Sequence, residues 1–205
     1  MLDLFIKGGP IMWPLLLASV VALTVTIDRV VFLVRERGRR NTGVVEAMLD
    51  QVEDGNIEGA MAIGEPSNDF IARALVYGLR HREKSLANAM LRAASRELHR
   101  YSRGLSVLDT IITLAPLLGL LGTVTGMISA FGLIGNSELE APTVITGGVA
   151  EALIATAFGL GIAITALVPF NYLNARLEEA REEMQDAATH VELHVSRASS
   201  AQGKG

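Results

Sequence analysis

Three polar side chains in otherwise apolar stretches have the chemistry to handle ions inside a membrane. Glu151 lies in the run of residues 149–164, whose other members are apolar, small or threonine. A carboxylate in hydrocarbon costs several kcal/mol unless it faces a partner, a wet cavity or the protein interior. Thr156 lies five residues further along the same run, and Thr123 lies in a second apolar run. Glu151, Thr123 and Thr156 are therefore the candidate ion-path residues.

The depths of these residues follow from the rise of an α-helix. If the two apolar runs meet the outer surface at Ile134 and Val144, Thr123 and Thr156 lie eleven and twelve residues below it. This is roughly 16–18 Å, near the middle of a ~30 Å hydrocarbon core, whereas Glu151 lies about 10 Å down. The two hydroxyls can bridge the helices or line a polar path, although membrane threonines most often bond their own helix backbone. For Glu151, a structural tie between subunits and a direct role in ion handling both stay open.

Small residues recur along both runs at the spacing of one helix face. They are Gly119, Gly122 and Gly126 in the first run, and Gly148, Ala152 and Gly159 in the second. Such residues let two helix backbones approach closely, and this contact drives helix association in lipid, where no hydrophobic force acts between helices. We therefore expect a close-packed pair of helices that carries the three polar residues.

Hydropathy patterning predicts an all-α membrane protein with three transmembrane helices and long cytoplasmic helical extensions. Each apolar run reaches the roughly 20 residues that a bilayer requires. The predicted segments are an N-terminus at 1–10, spans at 11–34, 105–134 and 144–172, a helical domain at 35–104, a connector at 135–143, a helix at 173–195 and a disordered tail at 196–205. With no evident break before residue 107, the last helix of the domain is expected to continue into the second span. The weakly charged start, with Lys7 opposed by Asp3, disfavours a cleavable signal peptide.

Basic residues predict the orientation in the membrane. Arginines follow the first span, precede the second and follow the third: Arg29, Arg35, Arg37, Arg39, Arg40, Arg100, Arg103, Arg176 and Arg181. The connector contains neither Lys nor Arg. By the positive-inside rule, we expect the N-terminus and the connector to lie on the outer side, and the helical domain and C-terminus to lie in the cytoplasm. We expect the arginines between positions 35 and 40 to anchor this topology and to contact anionic lipid headgroups.

Composition argues against several classes of function. The chain has no cysteine, which excludes disulfides, thiolate metal sites and cysteine nucleophiles. A net charge of −4 without a dense basic stripe argues against nucleic-acid binding. Because no phosphate-binding glycine motif is present, ATP is not the energy source within this chain, and we predict neither an enzyme nor a cofactor. His190 and His194 are spaced for a metal, but without a third convergent ligand we expect them to form a solvated face.

Two stretches carry a family resemblance. Residues 118–128 (LGLLGTVTGMI) and residues 150–164 (AEALIATAFGLGIAI), the latter followed by Pro169-Phe-Asn, resemble the second-span and third-span motifs of the ExbB/TolQ proton-channel family. The resemblance extends to three spans, an outer N-terminus and a large inner domain, so it covers nearly the whole chain. The flagellar stator MotA, a distant relative of that family, is a poorer match because it has four spans.

The resemblance implies a homopentamer around two single-span partners of the ExbD/TolR type in the bacterial inner membrane. Ion flow, normally of protons, would drive work on a periplasmic or outer-membrane target, with a TonB- or TolA-like protein as a further partner. The family's polar path runs between two span threonines and an aspartate of the partner helix. Thr123 and Thr156 match the threonines, and Glu151 matches the acidic position. Thr125 and Thr165 stand where many members carry Trp and Pro, so the choice between proton and sodium stays open, as does the choice between ExbB and TolQ roles.

Two other functions stay open on the residues alone. A small homo-oligomeric exporter would use Glu151 as its proton or cation site, and a passive membrane scaffold would have no ion path. The long cytoplasmic domain argues against the exporter, because small exporters keep their loops short. Asp28 and Asp109 fall near the inner ends of their spans. In an ion-driven protein, the proton-carrying acid is therefore Glu151 or comes from a partner.

Overall fold

The structure is a computed structural model that describes residues 2–134 and 141–202, with side chains described for 4–82, 85–132 and 146–196. These residues contain no strand and form eight α-helices: α1 (Leu2–Lys7), α2 (Met12–Arg37), α3 (Thr42–Glu53), α4 (Ile57–Gly64), α5 (Phe70–Arg80), α6 (Arg82–Ser102), α7 (Leu105–Ile134) and α8 (Ala141–Gln202). The predicted all-α fold is confirmed. Residues 135–140 of the predicted connector and 203–205 of the predicted tail lie outside the described residues.

Among the described helices, three are long and apolar enough to cross a membrane. They are Met12–Arg37, Leu105–Gly132 and a stretch within Thr146–Ser196. The 26 residues of α2 alone extend about 39 Å, more than the ~30 Å hydrocarbon core of a bilayer. The prediction of three transmembrane helices is therefore supported by both length and composition.

The chain divides into two compact units. The first, here called the span unit, consists of Met1–Arg29 and Gly104–Leu173. The second, here called the domain unit, consists of Val30–Arg103 and Asn174–Gly205. The span unit contains α1, α7 and the first parts of α2 and α8, and the domain unit contains α3 to α6 with the remaining parts of α2 and α8.

In the span unit, small residues lie inside and many large apolar residues lie outside. Ala152 and Ala155 are buried, whereas Leu117, Ile128 and Ile164 are exposed. Lipid tails accept exposed apolar side chains without cost, so close backbone contact rather than burial of large side chains has to hold such helices together.

α7 and α8 approach each other at the small residues. A Cβ atom placed on Gly159 would lie 2.5 Å from the carbonyl oxygen of Ala115 and 3.1 Å from Cα of Gly119. Further along the contact, a Cβ atom on Gly126 would lie 3.0 Å from the carbonyl oxygen of Gly148. These are backbone atoms, which cannot turn aside as a side chain can.

Gly122 and Ala152 complete this contact. A Cβ atom on Gly122 would lie 2.5 Å from Cβ of Ala155 and 3.3 Å from Cγ2 of Ile11, which directly precedes α2. A Cβ atom on Gly126 would lie 3.3 Å from Cβ of Ala152. The structure thus places all six small residues singled out in the sequence between α7 and α8.

The domain unit has an ordinary apolar core. Met48, Phe70, Leu75, Met184 and Val191 are buried in one cluster that joins α3, α5 and the α8 segment of this unit. Side chains cap the starts of its short helices: Asn41 accepts from the Val44 amide, Asn56 from the Gly59 amide and Asp69 from the Ile71 amide. Such caps satisfy amides that have no partner inside the helix.

Arg40 lies in an ionic cluster of the domain unit. Its guanidinium donates to both carboxylate oxygens of Asp69, at 3.0 and 2.8 Å, and it also pairs with Glu183. It lies 4.9 Å above the centre of the Phe70 ring. The expectation that all arginines between 35 and 40 contact lipid headgroups is therefore wrong for Arg40, because the buried Asp69 and the partly exposed Glu183, both distant in the sequence, bind it.

Glu36 is a second buried acid of the domain unit. It is 2 % exposed and lies 3.8 Å from the Arg73 guanidinium and 3.6 Å from that of Arg100. Glu97 pairs with the same two arginines at 2.6 and 2.7 Å. Burial, together with the charge of Glu36, raises the pKa of the nearby Tyr101 phenol, so this hydroxyl stays protonated.

Two helix ends differ from those predicted. α6 ends at Ser102 and α7 begins at Leu105, because Gly104 adopts a left-handed conformation with φ of +81°. The prediction that this helix continues into the second span is therefore wrong, since a left-handed residue interrupts the helix. At the other end of the chain, α8 continues through Gln202, beyond residue 196, where the sequence predicts the start of a disordered tail.

We predict that Gly159→Ala destabilises the span unit by roughly 1–3 kcal/mol, because the added methyl group would overlap the Ala115 backbone. Gly161→Ala is the matched control two residues away in the same helix. A Cβ atom there meets nothing within 4 Å, so only the helix propensity of alanine acts, and this favours the helix. The measurement is thermal unfolding in detergent. Equal stability of the two variants would contradict the packing described above.

We predict that Asp69→Ala destabilises the domain unit by about 3–5 kcal/mol, because it removes a helix cap and leaves a partly buried arginine without its main partner. Glu65→Ala is the control, since Glu65 pairs with Arg80 on the surface, where a salt bridge contributes at most about 1 kcal/mol. Unfolding followed by circular dichroism in denaturant compares them. A loss at Asp69 no larger than that at Glu65 would refute the prediction.

Candidate functional site

Thr156 joins the two helices of the close contact. Its hydroxyl on α8 donates a hydrogen bond of 3.0 Å to the carbonyl oxygen of Gly119 on α7. The bond is possible because Gly119 has no side chain and a Cβ atom there would lie 3.0 Å from Cα of Thr156. Of the roles considered for this hydroxyl, the structure shows a bridge to the neighbouring helix rather than a bond to its own.

Thr123 lies on α7, four residues after Gly119. Its hydroxyl donates to the carbonyl oxygen of Leu120 at 2.6 Å, within its own helix. The two threonine hydroxyls therefore do not bond each other but bond carbonyls of the adjacent residues Gly119 and Leu120. A hydroxyl has one donor and two acceptor lone pairs. Since both donors are used by carbonyls, both oxygens keep lone pairs that can accept a hydrogen bond from a protonated acid or from water.

The two additional threonines bond their own helices. Thr125 donates to the carbonyl oxygens of Leu121 and Gly122, at 3.0 and 3.2 Å. Thr165 is exposed and donates to the carbonyl oxygens one turn before it on α8. Neither hydroxyl bridges α7 and α8, which sets Thr156 apart from them.

Glu151 lies against the turn between α1 and α2. A Cβ atom on Gly9 would lie 1.8 Å from Oε1 of Glu151 and 2.7 Å from its Cδ. Gly9 has a φ of +71°, a conformation that only glycine adopts easily. On the next residue of the turn, a Cβ atom on Gly8 would lie 3.1 Å from Cγ2 of Ile154. The turn thus packs on α8 at Glu151, one helical turn and a half before Thr156.

The contact between Gly9 and Glu151 could not be predicted from the sequence. The run Gly8-Gly9-Pro10 indicates a turn, but nothing in it names the helix against which the turn packs. Among the described residues, Glu151 makes neither a hydrogen bond nor an ion pair. The sequence predicts either a tie between subunits or a role in ion handling for Glu151, whereas this contact lies within one chain.

A third potential ligand accompanies the histidine pair of the domain unit. Glu53, the last residue of α3, lies with His190 and His194 such that one ligand atom of each falls within 4.8 Å of the others. The expectation that no third ligand converges on these histidines is therefore wrong. Glu53 is 137 residues before His190 in the chain, so only the tertiary fold reveals it.

Comparisons with known proteins assign the chain to a family. Residues 63–186 match the model of the MotA/TolQ/ExbB proton channel family. A Synechocystis protein that carries the name ExbB-like 1 is 39% identical over 94% of this chain and 78% of its own length. Biopolymer transport protein ExbB of Neisseria meningitidis is 31% identical over 88% of this chain and 87% of its own. Tol-Pal system protein TolQ of Pseudomonas aeruginosa is 38% identical over 55% of this chain and 52% of its own.

The matched residues 63–186 include both threonines, Glu151 and all six small residues of the α7–α8 contact. Together with the extent of the similarity to ExbB proteins and the three apolar helices, this leads to one conclusion. The chain is a membrane protein that belongs to the MotA/TolQ/ExbB proton channel family.

Proposed function

We propose that this chain is the ion-conducting subunit, with protons as the ion, of an energy-coupling complex of the ExbB–ExbD or TolQ–TolR type in the bacterial inner membrane. The complex uses the proton motive force for periplasmic or outer-membrane work such as TonB-dependent uptake or Tol-Pal function. The observation that carries the proposal is that Thr123 and Thr156, on two close-packed apolar helices, donate to the carbonyl oxygens of the adjacent residues Leu120 and Gly119. Names of relatives support the same role, since they include biopolymer transport and Tol-Pal proteins.

The proposed path works through the lone pairs of these oxygens. A carboxyl group in hydrocarbon is held protonated by desolvation, and in this state it donates one hydrogen bond. Either Thr123 or Thr156 can accept that bond through the lone pairs of its oxygen, since the hydrogen of each hydroxyl already bonds a carbonyl group. We assign the carboxyl group to an aspartate on a single-span partner helix. The aspartate would take up a proton from one side of the membrane and release it to the other, and this change in its charge would move the partner helix relative to this chain.

The proposed assembly rests on the same family relationship. We propose a homopentamer around two single-span partners, with a TonB- or TolA-like protein receiving the work. Large apolar side chains exposed on the span unit, including Leu117, Ile128 and Val168, are available to neighbouring subunits and lipid. The arginine distribution supports a periplasmic N-terminus and a cytoplasmic domain unit.

Glu151 has a positioning role in this proposal. Its carboxyl group lies over Gly9, about 7.5 Å along α8 from Thr156. We infer that it holds the turn between α1 and α2 against α8 at the outer mouth of the threonine-lined path. The proton that crosses the membrane is carried by the partner's acid.

The exporter and scaffold hypotheses receive no support from the domain unit. This unit has its own apolar core and two buried acids, Glu36 and Asp69. A folded domain of this kind exceeds what the loops of a small exporter require. The family is one of channels, which agrees with the expectation of a non-enzyme.

We predict that Thr156→Val lowers proton flux at least about tenfold, the effect of one lost hydrogen bond of roughly 1.4 kcal/mol. The flux is measured in liposomes that contain the chain and its co-purified single-span partner. Thr165→Val is the matched control, because this threonine is exposed and bonds only its own helix. Thr156→Ser should restore the flux, since the hydroxyl returns. Flux of Thr156→Val equal to that of the wild type, in an intact complex, would rule out the proposed path.

We predict that Glu151→Gln assembles as the wild type does and keeps proton flux within about twofold, since glutamine fills the same space over Gly9. Glu151→Ala should lose thermal stability, because it leaves that space empty. Native mass spectrometry reports the assembly, and liposome assays report the flux. A fully assembled Glu151→Gln complex without flux would instead make Glu151 an ion-handling residue.

A further inference from the structure

His190 and His194 lie on one face of the α8 segment in the domain unit, with Glu53 of α3 beside them. The two imidazole rings stack with centres 4.4 Å apart and planes inclined by 27°. Nε2 of His194 lies 3.9 Å from Oε1 of Glu53. The ion path does not include these residues.

The hydrogen bond at Nδ1 of His194 determines where its proton lies. Nδ1 is 2.9 Å from the carbonyl oxygen of His190. A carbonyl can only accept, so Nδ1 carries the hydrogen, and in the neutral ring Nε2 then carries the lone pair. That lone pair faces the Glu53 carboxylate, which is itself electron-rich. A proton on Nε2 or a metal ion between the two groups makes this contact favourable.

His190 also has a ring nitrogen that could bind an ion. Its Nε2 is shielded from solvent and makes no hydrogen bond within the described part of the chain. Buried polar atoms in native proteins are nearly always satisfied by protein, water or an ion. The site thus combines one shielded nitrogen, one nitrogen oriented by a backbone carbonyl and one carboxylate.

We propose that His190, His194 and Glu53 bind a divalent transition-metal ion of the zinc class. Two imidazole nitrogens and one carboxylate form a known three-ligand set for Zn²⁺, with a fourth position for water. The bond from Nδ1 of His194 to a carbonyl is the outer contact that orients metal-binding histidines. Imidazole ligands select against Mg²⁺ and Ca²⁺, which prefer oxygen.

Only small movements are needed to close the site. A tetrahedral ion with bonds of about 2.0–2.2 Å places its ligand atoms roughly 3.3–3.6 Å apart. In the structure, the potential ligand atoms of the three residues, one from each, lie within 4.8 Å of one another. Glu53 can supply most of the movement because its side chain is 60% exposed, whereas that of His194 is 20% exposed. Occupancy ties the end of α3 to α8 and does not depend on the proposed ion path.

The test uses the full chain, purified in detergent without a histidine tag and stripped with a chelator. Titration with Zn²⁺ is followed by calorimetry, and titration with Co²⁺ by visible absorption, whose intensity reports tetrahedral coordination. We expect one ion per chain with a Kd of about 1 µM or tighter. His190→Ala, His194→Ala and Glu53→Gln should each weaken binding at least about tenfold.

Two controls separate this site from general surface binding. His99→Ala removes an exposed histidine elsewhere, and Glu192→Gln removes an exposed carboxylate between the two ligands in sequence; neither should change the affinity. Because Glu53 is exposed, Glu53→Gln tests the site even if a histidine variant does not fold. No saturable binding, unchanged affinity in Glu53→Gln, or an equal loss in His99→Ala would each overturn the three-ligand site.

Discussion

The close approach of α7 and α8 is the constraint on which the span unit depends. Lipid gives no hydrophobic reward for helix association, so backbones have to meet over small residues. Gly159 and Gly119 allow this, since a Cβ atom on either would lie about 3 Å or less from a backbone atom of the opposite helix. The same proximity lets the Thr156 hydroxyl reach the Gly119 carbonyl. Packing and polar chemistry therefore depend on the same residues.

The span unit and the domain unit bury different kinds of side chain. In the span unit, alanine and glycine are inside and many large apolar side chains are outside. In the domain unit, an apolar core lies beside buried acids that bind arginines from distant parts of the chain. Such buried ionic groups contribute little net stability but are costly to leave without partners. Removing one partner of such a pair therefore costs more than the intact pair contributes.

The structure shows what the Glu151 side chain contacts. The sequence shows only an acid in an apolar run, with a role in ion handling or in holding subunits. The carboxyl group packs on Gly9, whose left-handed conformation makes room for it. This contact lies within one chain, on α8 and five residues before Thr156.

The sequence by itself determined the three apolar helices, the six small residues and the family motif. Each of these features depends on the types and spacing of residues that are close in the chain, so it can be recognised without a structure. It predicted that Thr123 and Thr156 lie at similar depth but not that one bonds its own helix and the other its neighbour. Only the tertiary structure decided that difference, together with the partners of Arg40, Glu151 and His194. Asp69 and Glu183 lie far from Arg40 in the chain, as Gly9 does from Glu151 and Glu53 from His194. A sequence pattern contains no distance between such residues.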